Sequence, residues 1–438
     1  MAALLPHDEE TPLIALSDDS TPKNHTRDVH ILSVAFLLIF LAYGAAQNLQ
    51  STLNTEQDLG TTSLGILYTS LTFFSLVASL VVRVLGSKNA LVLGTTGYLL
   101  YIAANLMPNW FTMIPASLYL GFCASIIWVG QGTYLTLTAR SYARAYDLHE
   151  GAVIGDFNGE FWAVLALFQF IGNLLTFTLL RDGQEGSTKG TALLFIVFLS
   201  FMVSGAVLMC FLSRRTDENK EELSDACVGV HSSLKSLYKS HADSFSDVRM
   251  LLIIPLLAYS GLQQAFVWAE FTKYVVTPTL GISGVGCAMA VYGAFDTVCS
   301  LAAGRLASGL TSIATIVSVG SFVQAGVIVL LLLNLRLSTG FLDILYPLFL
   351  AALLGIGNGV FNTQLNAMLG MLFKHDTEGA FAQLKMWQSA PTAILFFLSP
   401  HISFQAMLVI MLASLLLSFG AFLLLTLQLA KTSSFLRE

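Results

Sequence analysis

The octapeptides Leu41-Ala42-Tyr43-Gly44-Ala45-Ala46-Gln47-Asn48 and Leu257-Ala258-Tyr259-Ser260-Gly261-Leu262-Gln263-Gln264 share a Leu-Ala-Tyr start and an amide pair at the same spacing. Each lies in a run of mostly apolar residues about 20 long, enough to cross about 30 Å of hydrocarbon. Further matches follow in order. Leu59-Gly60 and Gly65 answer to Leu280-Gly281 and Gly286, and in that register Phe74, Ser79 and Leu85 answer to Phe295, Ser300 and Leu306. Leu118-Tyr119, Gly130-Gln131-Gly132 and Thr136 answer to Leu345-Tyr346, Gly357-Asn358-Gly359 and Thr363. Gly159, Phe161 and Phe168-Gln169 answer to Gly379, Phe381 and Trp387-Gln388 with a slip of one residue. Any one match is weak in so apolar a chain, but an ordered set of this kind indicates an internal repeat.

Composition says what solvent the repeat lives in. Of 438 residues 55% are hydrophobic and only 11% charged, against roughly a quarter charged in soluble domains. That excludes a soluble globular enzyme, and a net charge of −6 without a basic block excludes nucleic-acid binding. The five cysteines, Cys123, Cys210, Cys227, Cys287 and Cys299, form no CxxC pair, so neither a disulfide scaffold nor a zinc site is expected.

Hydropathy predicts twelve spans: 29–49, 62–85, 90–107, 112–138, 158–180 and 191–213, then 249–271, 284–307, 311–334, 341–371, 380–400 and 404–430. The span 341–371 is expected to bend at Gly355, Gly357 and Gly359. Residues 214–248 are polar, rich in serine and charge, and divide the chain. The expected organisation is a cytosolic tail 1–28, a six-helix half 29–213, a cytosolic linker 214–248, a second half 249–430 and a cytosolic tail 431–438. Leu234, Leu237, Tyr238 and His241 stand at helical spacing in the linker, which is read either as a short surface helix or as a solvated connection. Of the 21 Lys and Arg residues, all but Arg181, Lys189, Lys273 and Arg336 fall on the side of the N-terminus, Lys385 among them. Positively charged loops stay in the cytosol, so both termini are expected there. Six spans, a joint and six related spans in the same orientation form the parallel repeat of an all-α membrane protein with the major facilitator fold.

Polar residues at membrane depth are costly and mark function. Asp296 sits near the middle of the eighth span. It reads as a cation, proton or substrate site, or as a carboxyl bonding a neighbouring helix. Gln47, Asn48, Gln131, Gln169, Asn173, Gln263, Gln264, Asn358, Asn362 and Gln388 are amides within spans 1, 4, 5, 7, 10 and 11. Those spans line the central cavity of a two-half transporter, so the amides are read as a polar cavity, with helix-to-helix bonding as the alternative. Glu270 and Lys273 are placed to pair across one helical turn. Asp156 and Glu160 are placed for neutralisation by Arg83 or Arg144. No GxSxG, Walker A or HExxH pattern occurs, so no catalytic residue, metal or cofactor is expected.

Several motifs resemble a known family. Gly304-Arg305-Leu306-Ala307-Ser308 resembles half of the major facilitator loop motif, with Ser308 where an Asp is usual, and of its counterpart only Arg83, Gly86 and Lys88 remain. That departure counts against conventional salt-bridge gating. Gln47-Asn48-Leu49-Gln50-Ser51-Thr52-Leu53-Asn54, then Leu59-Gly60 and Ser63-Leu64, resembles the signature of the UNC-93-like family, a divergent major facilitator branch. Trp128, Gly130-Gln131-Gly132, Tyr134-Leu135-Thr136, Gly159, Phe161, Gly172-Asn173, Glu270-Phe271-Thr272-Lys273 and Thr363-Gln364 extend the likeness over residues 28–425. Plant members are the most alike in appearance. The resemblance implies a role in potassium homeostasis, as a regulator of two-pore potassium channels or as an ion transporter, with a potassium channel or other membrane protein as partner. Animal relatives that escort receptors through endomembranes imply a trafficking alternative. A proton-coupled transporter of a small organic solute, with Asp296 carrying the proton, is the reading the residues leave open beside it. Glu9-Glu10-Thr11-Pro12-Leu13-Ile14 fits an acidic dileucine sorting signal on Glu9, Leu13 and Ile14, which would select a vacuolar or endolysosomal membrane over the plasma membrane.

Overall fold

A chain in hydrocarbon has no water to bond its backbone, so donors and acceptors must be satisfied within the segment, as a helix does. The computed structural model describes residues 23–53, 59–181, 188–215, 247–333, 341–398 and 401–435, and these are helical almost throughout. The first half holds α1 (Lys23–Leu53), α2 (Leu59–Leu85), α3 (Ser87–Ala104), α4 (Trp110–Ala145), α5 (Glu150–Arg181) and α6 (Thr188–Cys210). In the second half, α7 (Val248–Ala265) widens into a π-helix (Phe266–Val276) that leads to α8 (Thr277–Leu306). The half closes with α9 (Leu310–Leu332), α10 (Phe341–Leu372), α11 (Thr377–Leu398) and α12 (Phe404–Phe435).

Among the described residues nine helices are long and apolar enough to cross a membrane. Three of the expected spans fall short of that measure. The described apolar stretch of α6 is the shorter Phe195–Cys210. α3 opens on Ser87-Lys88-Asn89, and α11 carries Glu378, Gln383, Lys385 and Gln388. The helices also outrun the apolar windows. α4 continues to Ala145 and α5 starts at Glu150, because the polar turns bearing Arg140 and Glu150 are held by ion pairs rather than by lipid. At its other end α4 is capped. The Asn109 side chain accepts from the Thr112 backbone N–H at 3.0 Å while the Asn109 N–H donates to the Thr112 hydroxyl.

The repeat reappears in the packing. In the first half α1 packs on α5 and α6, α2 on α4, and α3 on α4 and α6; in the second, α7 packs on α11 and α12, α8 on α10, and α9 on α10 and α12. The main contacts between halves are α5 on α8 and α2 on α11. Since the repeat equates α2 with α8 and α5 with α11, these are one interface made twice, as a pseudo-two-fold axis requires. α9 and α12 stay peripheral and turn Val319, Phe322, Leu416 and Leu417 outward, as lipid contact demands.

α10 runs unbroken from Phe341 to Leu372, through the glycines at which a bend is expected. Its glycines serve close approach instead. A Cβ at Gly355 would overlap the Tyr292 carbonyl oxygen of α8, and one at Gly357 would overlap the Gln324 side chain of α9. The break in regular helix comes at Gly281, with φ 71° and ψ 179°, a conformation that belongs to glycine.

Candidate functional site: a cavity between the halves

Where the halves face each other, side chains of α1 to α5, α7, the π-helix, α8, α10 and α11 enclose a cavity of about 420 Å³. The wall given by the first half is aromatic: Phe40, Tyr43, Tyr68, Tyr98, Trp128 and Trp162. Trp128 and Trp162 stack with centroids 5.7 Å apart and planes 8° from parallel. The second half supplies the ionisable groups and most of the amides, among them Gln264, Asp296, Asn358, Asn362, Lys385 and Gln388.

Asp296, 6% exposed, accepts from Asn358 Nδ2 at 2.7 Å through one oxygen and from the Ser300 hydroxyl at 3.1 Å through the other. Gln264 Nε2 donates to Asn362 Oδ1 at 3.2 Å and, more weakly, to Asn358 Oδ1 at 3.5 Å. A chain of amides therefore runs from α7 through α10 to the carboxyl on α8. The spacing of Asn358 and Asn362, four apart, puts both on one face of α10.

Lys385 was expected on the aqueous inner face, and the structure overturns that. It is 9% exposed and lines the cavity, because α11 begins at Thr377 and eight residues of helix carry the chain about 12 Å inward. Its ammonium donates to Gln388 Oε1 at 3.0 Å and lies 4.1 Å from the centre of the Trp128 ring and 5.8 Å from that of Trp162. Gln388 Nε2 in turn donates to the Ser260 hydroxyl of α7 at 2.9 Å. The aromatic wall is not legible in the sequence, where Tyr43 and Trp128 enter only as members of the repeat and family-like motifs.

The expected cavity residues divide. Gln47, Gln169, Gln264, Asp296, Asn358, Asn362 and Gln388 line it, Gln47 donating to the Tyr68 hydroxyl at 2.9 Å. Gln131 and Gln263 do not. Gln263 is spent on the Leu354 carbonyl at 3.3 Å, while Gln131 is fully buried in the first half with no hydrogen-bond partner among the described residues. The side chains of Asn48 and Asn173, like Glu9, Leu13 and Ile14 and most of the linker, lie outside the described residues.

The end of the bundle that carries the linker is tied shut across the halves. Arg83 of α2 pairs with Asp376, before α11, at 2.7 Å and approaches Glu378 at 3.9 Å. Arg140 of α4 donates to the Gly370 carbonyl of α10 at 2.7 Å and pairs with Glu150 at 3.2 Å, and Glu150 also takes Lys374 at 2.8 Å. So Arg83 ties the halves despite its degraded motif, and is not the partner of Glu160, which pairs with His30. Gly86, with φ 76°, turns the chain into α3 next to Lys88, and the exposed Arg305 follows Gly304 at the end of α8. Gly304 meets Gly159 of α5 backbone to backbone. The cavity lining instead reaches Leu64 and Gly65 at the start of α2 and Phe396 and Phe397 at the end of α11, toward the opposite end of the bundle.

Glu270 and Lys273 do not form the expected ion pair. They lie in the π-helix, whose wider turn takes residues three apart off a common face, and Lys273 lies over the Tyr274 ring at 4.9 Å while Glu270 is buried.

Known proteins share both the sequence and the fold. Residues 52–423 match the family described as ion channel regulatory protein UNC-93. The chain is 63% identical over 410 residues to UNC93-like protein 3 of Arabidopsis thaliana, covering 93% of this chain and 88% of that one. It is 31% identical to human protein unc-93 homolog A over 90% of this chain and 92% of the relative. It is also 31% identical, over 90% of this chain and 60% of the relative, to the Caenorhabditis elegans unc-93 protein, whose name provisionally makes it a potassium channel regulator. In fold it is similar to the human organic anion transporter MFSD10 (TM-score 0.64, 14% identity, covering 91% of this chain and 99% of that one). The Escherichia coli fucose:proton symporter FucP follows (TM-score 0.62, 12% identity, 92% and 99%). No enzyme stands among these, and a multi-pass membrane protein of major facilitator fold is what they describe. The chain belongs to the UNC-93 family.

Proposed function

We propose that this protein serves potassium homeostasis as the regulatory partner of a potassium channel, and that it does not itself conduct potassium. The observation that carries this choice is Lys385 in the cavity. Potassium gives up its water only to a shell of oxygens. Here an amine faces the cavity, aromatic rings wall it, and the oxygens of Asp296, Asn358, Asn362 and Gln388 already accept hydrogen bonds. The family description and the name of the nematode relative support a channel as the partner. Both termini lie in the cytosol on this reading, so the tied end of the bundle faces inward, and Glu9, Leu13 and Ile14 direct the protein to a vacuolar or endolysosomal membrane.

The test has two arms. The purified full chain in proteoliposomes is expected to pass no rubidium tracer, while its co-expression with a two-pore potassium channel changes the channel current and the two co-purify. Potassium-dependent flux through the purified chain that disappears in Asp296→Asn would make it a transporter instead. Alanine at both Leu13 and Ile14 is expected to move a tagged protein to the plasma membrane.

A second reading, movement of a small organic solute by alternating access, is supported by the cavity itself, tied at one end and lined toward the other.

A further inference from the structure

We infer that the central cavity is a binding site for a small organic anion with an apolar body, whose carboxylate is held by the Lys385 amine. Lys385 is a buried amine without a counter-charge among the described residues. Among the described residues no carboxylate pairs with it, and Gln388 Oε1 accepts only one of its three N–H bonds. The ring of Trp128 shields one side of the ammonium at 4.1 Å but accepts no charge. A charge at this depth is costly unless it is paired, and an anion in the cavity would pair it.

A second ring stands beside it. Trp162 is 8% exposed, lines the same cavity, stacks on Trp128, and its ring centre lies 5.8 Å from the Lys385 amine. The apolar body of an anion can lie against these aromatic side chains while its carboxylate meets the amine.

The rest of the cavity sets the class of ligand. Both oxygens of Asp296, the acid in its lining, already accept hydrogen bonds, from Asn358 and Ser300, whereas Lys385 gives only one of its own among the described residues. A volume of about 420 Å³ walled by aromatic rings suits an apolar body of drug-like size, far larger than a bare halide. The inference goes beyond the channel reading, and stands or falls separately from it.

Calorimetry on the purified full chain in lipid nanodiscs tests it, with phenylacetate, phenylacetamide, phenethylamine and sodium chloride as probes. Phenylacetate is expected to bind saturably with one site per chain, and the other three not to bind up to about 10 mM. Lys385→Met is expected to weaken phenylacetate at least about tenfold, the worth of one hydrogen bond to a charged group, and Lys385→Arg to retain it. Lys385→Gln keeps a hydrogen-bonding group but not the charge, is also expected to weaken phenylacetate, and carries the test if Lys385→Met does not fold. Binding of phenylacetamide or phenethylamine as tight as that of phenylacetate overturns the proposal. So does an affinity unchanged in Lys385→Met or Lys385→Gln, or the failure of phenylacetate to bind at all.

Discussion

Asp296 keeps both of its oxygens occupied by neutral donors, and that arrangement can be tested apart from its charge. Asp296→Leu leaves the Asn358 amide and the Ser300 hydroxyl without their acceptor, which costs about 1–3 kcal/mol for each buried group left unsatisfied. Asp296→Asn keeps an oxygen for one of them and should cost about 1 kcal/mol. Melting of the detergent-purified protein is therefore expected to fall further for Leu than for Asn, and Asp296→Leu with Asn358→Leu should recover part of the loss. Equal loss in the Asn and Leu variants would mean that the charge, and not its donors, holds the site. Asp296 was legible in the sequence because a carboxylate stands out in the middle of an apolar window. Lys385 was not, although it lies equally within the cavity. Hydropathy assigns a lysine near the start of a window to the water, and only the true start of α11, at Thr377, shows how deep it sits. Gln131 shows the reverse failure. Its register against Asn358 is right, yet an amide on a helix has several faces to choose from, and this one turned into the packing.

The long segment from Val248 to Leu306 breaks regularity twice, and both breaks have local causes. The π-helix over Phe266–Val276 moves Lys273 away from Glu270, which spacing rules for an α-helix could not foresee. Gly281 then holds φ 71° and ψ 179°, where a side chain costs about 1–3 kcal/mol. Gly281→Ala is expected to lower the melting temperature of the purified protein. Gly326→Ala, in regular α9 with nothing within 4 Å of the added methyl, should be neutral or slightly stabilising. Equal effects of the two substitutions would show that Gly281 is not strained into place. Most helices were legible because the 20-residue apolar window is a strong signal. Their polar extensions at the linker end were not, since Arg140 and Glu150 continue α4 and α5 through an ion pair formed with another part of the chain.

The repeat is legible in the sequence, and the doubled interface of α5 on α8 and α2 on α11 has the symmetry that it requires. The two copies are unequal at the linker end, however. Gly304 meets Gly159 backbone to backbone at one, while Arg83, which stands at the position equivalent to Gly304, reaches Asp376 at the other. Removing the ties with Arg83→Ala and Arg140→Ala is expected to shift the population toward the form open at the linker end. Thr136, fully buried against Gly370 of the other half, reports on this. In a background free of other cysteines, a Thr136→Cys reporter should react with a water-soluble maleimide at least about tenfold faster once the ties are gone. An unchanged rate would show that the ion pairs do not hold the halves together. The cavity carries the same inequality into its chemistry. Asp296 and Lys385 both ride on the second half, and the stacked Trp128 and Trp162 ride on the first. Lys385 already grips the first half through the Trp128 ring, so the tilt of one half against the other and the state of that lysine are thermodynamically linked. Whatever occupies the space between them biases the tilt, and any neighbouring protein that touches both halves from outside would feel that bias as a signal.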